Sequence, residues 1–279
     1  MTAETSIKTG RNLPAAIGIG ALLGGGVLAT LLTVKSTFLI YMGAAIVIGL
    51  NELTGALRQR DIATPFIALA LGGIAMLTCT YWLGYRGLVA AAGLSVLAVV
   101  GYRLVRGGTA NFVRDTSASV FAIGYIPFLA SFVAAMLTPS DGARRVLTWV
   151  ILTICSDIGG YFAGITLGRG SRHPMAPAIS PKKTWEGFAG SAAACLVAGA
   201  LTMALLLHGA VWQGLLLGAA AVVAAITGDL IESAIKRDLD IKDMGTLLPG
   251  HGGVLDRIDS LLVTAPVTWL LLIAFLPTR

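Results

Sequence analysis

Three features of the 279-residue sequence predict an all-α polytopic integral membrane protein. Apolar residues make up 56% of the chain and charged residues only 12%, and the mean hydropathy is +0.83. Long apolar runs recur from Leu13 to the C-terminus, each near the roughly 20 residues a helix needs to cross about 30 Å of hydrocarbon. The third feature is an imbalance: seven of the 14 acidic residues lie between Asp229 and Asp259, with four basic residues among them. Charge gathered so tightly in so apolar a chain marks a site. The remainder reads as one membrane domain over residues 1–279, with 1–145 as helical scaffold and 146–279 as the helices and loops of the site.

Nine spans are predicted, at about 14–34, 36–57, 63–83, 87–105, 117–137, 146–167, 187–207, 210–231 and 258–277. The first dozen residues are polar, and no short apolar core with a small-residue cleavage site follows them, so no removable signal peptide is expected. With the N-terminus on one side, alternation places 15 Lys and Arg on that side and five (Lys35, Arg86, Arg144, Arg145, Arg279) on the other. The richer side is expected to be cytoplasmic. That places the polar loops 168–186 and 232–257 in the cytoplasm at the inner (plasma) membrane and the C-terminus outside. The net charge of +6 is accounted for by topology and anionic lipid headgroups, and implies no nucleic-acid partner.

Within the spans the sequence is less specific. Gly20 with Gly24, and Gly160 with Gly164 and Gly168, have the spacing that lets helices approach closely. Cys79, Cys155 and Cys195 have no metal or redox spacing and read as small buried hydrophobes. Glu52 stands at a span end, where it can reach water. Asp157, deeper in its span, is a functional-site candidate because a carboxylate there is costly.

The second half carries the chemistry. Asp229, Ser233 and Lys236 are spaced i, i+4, i+7 and share one helix face; Asp256 and Asp259, at i and i+3, share another. An antiparallel helix pair is expected to bring Asp229 opposite Asp256. Converging carboxylate oxygens suit Mg²⁺, which takes one or two carboxylates plus substrate phosphates, and no thiolate or His pair points to zinc. Between the helices, Pro249-Gly250-His251-Gly252-Gly253 supplies the glycines of an anion-binding nest of backbone N–H groups. Lys236, Arg237, Lys242 and Arg257 add donors for phosphate. In the other loop, Lys182 and Lys183 precede Trp185, a pattern that serves as topology signal and interfacial anchor and also as a phosphate contact.

These residues resemble a known family. Ser233-x-x-Lys236-Arg237, then Lys242-Asp243, then His251-Gly252-Gly253-x-x-Asp256-Arg257-x-Asp259 is similar, over 27 contiguous positions, to the signature of the phosphatidate cytidylyltransferases, or CDP-diacylglycerol synthases. Ser180-Pro181-Lys182-Lys183-Thr184-x-Glu186-Gly187 resembles a second motif of that family. Asp157-x-Gly159-Gly160-Tyr161 resembles a third, with Gly160 where the family more often has Ala. The first 150 residues carry no matching motif.

The resemblance implies that CTP and phosphatidic acid give CDP-diacylglycerol and pyrophosphate with Mg²⁺ as cofactor, a second cation such as K⁺ sharing its ligands. It implies metal ligation by Asp229 and Asp256, with Asp259 third. It implies phosphate binding by Lys182, Lys183, Lys236, Arg237 and Lys242, helped by Ser180, Ser233, His251, Gly252, Gly253, Arg257 and Asp157. The partners are CTP, phosphatidic acid and the bilayer; oligomeric state, with a homodimer among the options, is left open. A CTP-dependent polyprenol kinase is the nearest alternative, opposed by the intact signature. A CDP-alcohol phosphotransferase fails at Ser260 after Asp259. An ion-coupled transporter predicts charges at mid-membrane depth in matching halves, and no internal repeat is found.

Overall fold

The computed structural model describes residues 24–31, 33–106, 108–167, 173–247 and 252–276. Among these, seven helices are long and apolar enough to cross a membrane. They are α1 (Lys35–Arg58), α2 (Phe66–Arg106), α3 (Phe112–Leu137), α4 (Gly142–Thr166), α5 (Trp185–Leu205), α6 (Val211–Asp238) and α7 (Leu255–Phe275). Between α4 and α5 lies a small antiparallel hairpin of β1 (Pro174–Ala176) and β2 (Ser180–Thr184), the one departure from all-α structure among the described residues.

Two spans predicted at 63–83 and 87–105 appear as the single 41-residue α2. Drawn straight it would be roughly 60 Å long, about twice the hydrocarbon thickness. It is not straight. Gly84, at φ 66° and ψ −153°, breaks the helical backbone in a region that favours glycine. A Cβ on Gly72 would lie 2.8 Å from the Cβ of Ser95, so residues 23 apart in sequence touch and the two arms fold back on each other. With its arms counted separately, the helices from Lys35 onward correspond to eight of the nine predicted spans. The other, about 14–34, lies largely outside the described residues, with 24–31 helical.

In α3, Pro127 can donate no backbone hydrogen bond and its ring crowds the preceding turn. The chain accommodates it with a π-helical turn, Gly124–Phe128, that buries Tyr125 and Ile126. Outward faces remain apolar: Ile67, Trp82, Leu97, Val105 and Leu201 are exposed in the isolated chain, as expected of surfaces solvated by lipid. Inside, Trp149 Nε1 donates to Thr264 Oγ1 at 2.9 Å, a hydrogen bond between α4 and α7 that substitutes for water in the core.

Small residues let α4–α7 pack closely, and of the glycines the spacing singles out Gly160 takes part. A Cβ on Gly159 would stand 2.6 Å from the carbonyl oxygen of Gly190, and one on Gly160 2.6 Å from Ser191 Oγ, so this pair carries the α4–α5 contact. Among the described residues nothing lies within 4 Å of such a position on Gly164 or Gly24, while Gly20 and Gly168 lie outside them. On α6, a Cβ on Gly228 would meet the backbone oxygen of Asp259 at 2.6 Å. Gly228→Ala is therefore expected to force α6 from α7 and destabilise the fold by about 1–3 kcal/mol, visible as a lower thermal midpoint in detergent.

The charged residues at the helix ends bond in two separate groups. At one end, Arg60 Nε donates to Leu239 O at 3.1 Å, Arg114 bonds Asp61 O, and Arg237 Nε reaches Ile179 O at 3.4 Å. At the opposite end, Lys35 Nζ donates to the carbonyls of Pro139 and Ser140 at 2.6 and 2.9 Å, and Arg145 pairs with Asp141. Both long loops thus open on the same face of the bundle.

Candidate active site

The β-hairpin and the ends of α4, α5, α6 and α7 surround a cavity of about 470 Å³. Each wall has a local cause. Thr184, extended at φ −125°, caps α5 by accepting the Gly187 N–H at 3.1 Å, which turns β2 into the helix and presents Lys182 and Lys183 beside the cavity. α4 contributes Asp157 and Gly160; α6 contributes Asp229, Glu232 and Lys236; α7 contributes Asp256, Arg257 and Asp259.

The register of α6 against α7 differs from the expected one. Close approach at Gly228, and a 3.0 Å bond from Ser260 Oγ to Ala225 O, set Asp229 level with Asp259. Asp256 falls about one turn further along, beside Glu232. The expected juxtaposition of Asp229 with Asp256 is thus corrected, because the glycine contact, which the carboxylate spacing does not encode, chooses the register.

Lysines neutralise these acids. Lys183 Nζ lies 2.6 Å from Asp229 Oδ2, and Ser233 Oγ donates to Asp229 Oδ1 at 3.3 Å. Lys236 Nζ bridges Glu232 Oε2 at 2.5 Å and Asp256 Oδ1 at 2.8 Å. The other Asp256 oxygen accepts the N–H groups of Gly253 at 2.7 Å and Met244 at 2.9 Å. Its two oxygens are therefore both engaged. Glu232 Oε1 is buried with no hydrogen-bond partner among the described residues.

Of the expected nest, Gly252 and Gly253 lie within the described residues and Pro249, Gly250 and His251 outside them. Gly252 adopts φ 80°, a conformation that suits glycine. The N–H of Gly253 is bound to Asp256, and those of Val254 and Leu255 donate to Glu52 Oε1 and Oε2 at 2.9 and 2.8 Å. At these three residues the anions held are the protein's own carboxylates. Among the other predicted residues, Lys242 is exposed, and Lys242, Ser180, Ser233 and Arg237 stand outside the cavity lining. His251 lies outside the described residues. Cys195 is buried, its Sγ 3.4 Å from Leu152 O, while Cys79 and Cys155 are half-buried.

Sequence reasoning passed over Glu232 and Asp243, which line the cavity. Glu232 stands at i+3 from Asp229 and was signalled by the same helical periodicity; Asp243 had only its place beside Lys242. Glu52 was singled out as an end carboxylate that reaches water, but it is 8% exposed and caps α7.

Among the described residues no three His, Cys, Asp or Glu side chains close into a ready cage for a metal. The donors around the cavity are nonetheless hard oxygens, and the charges of Asp157, Asp229 and Asp259 act on one another. Like charges sharing a poorly solvated space favour an added cation. The set fits Mg²⁺ in its common mode, with one or two carboxylates plus substrate phosphates.

A family model described as the cytidylyltransferase family matches residues 15–275. The chain belongs to the cytidylyltransferase family. It is 40% identical to a phosphatidate cytidylyltransferase of Mycobacterium leprae (strain TN), over 95% of this chain and 89% of that protein. It is 39% identical to one of Mycobacterium bovis (strain ATCC BAA-935 / AF2122/97), over 96% and 90%. With one of Staphylococcus haemolyticus (strain JCSC1435) it shares 29% identity over 88% and 94%. The cytidylyltransferase match runs through scaffold and site alike, including most of the first 150 residues, where no motif was recognised.

Proposed function

We propose that this enzyme transfers the cytidylyl group of CTP to phosphatidic acid, giving CDP-diacylglycerol and pyrophosphate, at the cytoplasmic face of the inner membrane. The observation that supports this most is the cavity itself: carboxylates and lysines share one space at the charged end of an apolar bundle. There a water-borne nucleotide and a leaflet-borne lipid phosphate can meet. The cytoplasmic assignment follows from the excess of Lys and Arg at that end.

In this mechanism an oxygen of the lipid phosphate attacks the α-phosphorus of CTP. The new O–Pα bond forms as the bond from Pα to the bridging oxygen of the β-phosphate breaks, and pyrophosphate leaves. The lipid phosphate is already largely ionised near pH 7, so no general base is needed. Asp229, Asp256 and Asp259 would hold Mg²⁺, which when bound supplies charge neutralisation on the triphosphate. Lys182, Lys183 and Lys236 line the cavity as donors for phosphate oxygens, and Arg257 supplies a forked donor on the same wall. Lys242 and Arg237, outside the cavity lining, act through their charge on approach of the anionic substrates. Catalysis of this kind is chiefly positioning and electrostatic stabilisation.

The test offers purified protein in mixed micelles CTP with either phosphatidic acid or a polyprenol, and reads the product lipid by mass. Phosphatidic acid is expected to gain one cytidylyl unit with equimolar pyrophosphate, and EDTA to stop the reaction. A phosphorylated polyprenol with CDP as by-product would overturn the proposal.

A further inference from the structure

We propose that Glu52, from the N-terminal half, is a positioning residue of the site. It acts by fixing the start of α7, and this rests on the cytidylyl-transfer reading above. Its carboxylate crosses some 200 positions of sequence to accept the Val254 and Leu255 N–H groups at 2.9 and 2.8 Å. These belong to the first turn of α7, whose N–H groups have no partner within the helix. A carboxylate there satisfies two donors and sits favourably against the positive end of the helix dipole.

The fit is tight on both sides of the loop. A Cβ on Gly253 would lie 2.5 Å from Glu52 Oε2, and one on Gly245 2.7 Å from Glu52 Cδ. Glu52 thus occupies the space left by two missing side chains, one near the middle and one at the α7 end of the 239–254 connection. Leu53, Leu57, Leu239, Met244 and Leu255 belong to one buried cluster around this contact, so the carboxylate is held rigidly. Arg60, two residues beyond the end of α1, bonds Leu239 O and pairs with Asp240 at the loop's other end.

The consequence for the site follows from the helix repeat. Asp256 is the second residue of α7 and Asp259 lies one turn later. Asp256 also spends one oxygen on the Gly253 N–H, adjacent to the N–H that Glu52 holds. Two carboxylates from distant parts of the chain therefore clamp consecutive N–H groups of one turn. Without Glu52, that turn frays and the orientation of the Asp256 and Asp259 carboxylates is lost.

The experiment compares wild type, Glu52→Gln, Glu52→Asp and Arg60→Gln. Mn²⁺ binding is titrated by electron paramagnetic resonance, and kcat, the KM values and the thermal midpoint are measured beside it. Glu52→Gln is expected to weaken Mn²⁺ binding about tenfold or more, the range for groups that orient metal ligands. Its kcat is expected to fall comparably, with the lipid KM within about twofold of wild type. Glu52→Asp is expected to recover part of both losses, and Arg60→Gln, altered at the exposed end of the loop, to keep wild-type Mn²⁺ affinity. Wild-type Mn²⁺ affinity in folded Glu52→Gln, with activity lost only in proportion to folded protein, would overturn the proposal. If Glu52→Gln does not fold, Glu52→Asp decides by the same criterion. A wild-type protein that binds Mn²⁺ but makes no cytidylylated lipid would defeat the reading of function, while the titration would still decide the role of Glu52.

Discussion

Asp229→Asn is expected to cut cytidylyl transfer on the order of 10²–10³-fold while leaving the thermal midpoint close to that of wild type. A loss of this size accompanies removal of one preorganised electrostatic group from an active site. The Asp229 side chain is 41% exposed to the cavity, so little packing depends on its charge. Asn keeps the shape and an acceptor for Ser233, which lies 3.3 Å away. What disappears is the negative charge now facing Lys183 at 2.6 Å, the charge proposed to hold a metal when substrate arrives. The fall is expected in kcat and kcat/KM together, since the interaction matters most as charge develops. Activity within tenfold of wild type in folded Asp229→Asn would remove Asp229 from the chemistry.

Lys236→Met is expected to act on both stability and turnover. Its ammonium sits between Glu232 and Asp256, whose side chains are only 2% and 4% exposed. Breaking a buried ion pair by removing one partner typically costs about 3–5 kcal/mol, because the remaining charge is left uncompensated. Here two carboxylates would lose their shared cation, and Glu232 Oε1, which has no partner among the described residues, would gain none. Thermal unfolding in detergent is expected to show a clearly lowered midpoint. The double variant Glu232→Gln/Lys236→Met is expected to regain much of that stability but not activity, since the phosphate donor is still missing. Full stability of Lys236→Met would contradict the buried-triad description.

The span pattern was readable in the sequence because lipid imposes a simple rule, long apolar helices with charge at their ends. Hence the helices from Lys35 onward fall close to where the apolar runs put them, and the two long polar loops meet on one face. The acidic and basic residues of the last two helices stood out for the same reason, as costly exceptions in an apolar chain. The interior geometry was hidden because contact, more than composition, decides it. Gly84 reads as one more glycine until the backbone reverses there. The Asp229–Asp259 register is chosen by the absence of a side chain at Gly228, and carboxylate spacing could not show it. The Gly253 N–H, counted in the expected 249–253 nest, is taken by Asp256, and the next two N–H groups by the distant Glu52, partners that the glycine pattern does not reveal. Glu52 itself was visible only as an end charge, since nothing local connects it with residues 200 positions away.

The most direct measurement follows the fate of label from CTP carrying ³²P at either the α or the γ position. Purified protein would be given phosphatidic acid in mixed micelles, with Mg²⁺ or EDTA. The α-label is expected to enter a lipid product only with Mg²⁺, and the γ-label to leave entirely as pyrophosphate. Transfer of γ-label to a lipid, or no lipid labelling by properly folded protein, would contradict cytidylyl transfer at this cavity.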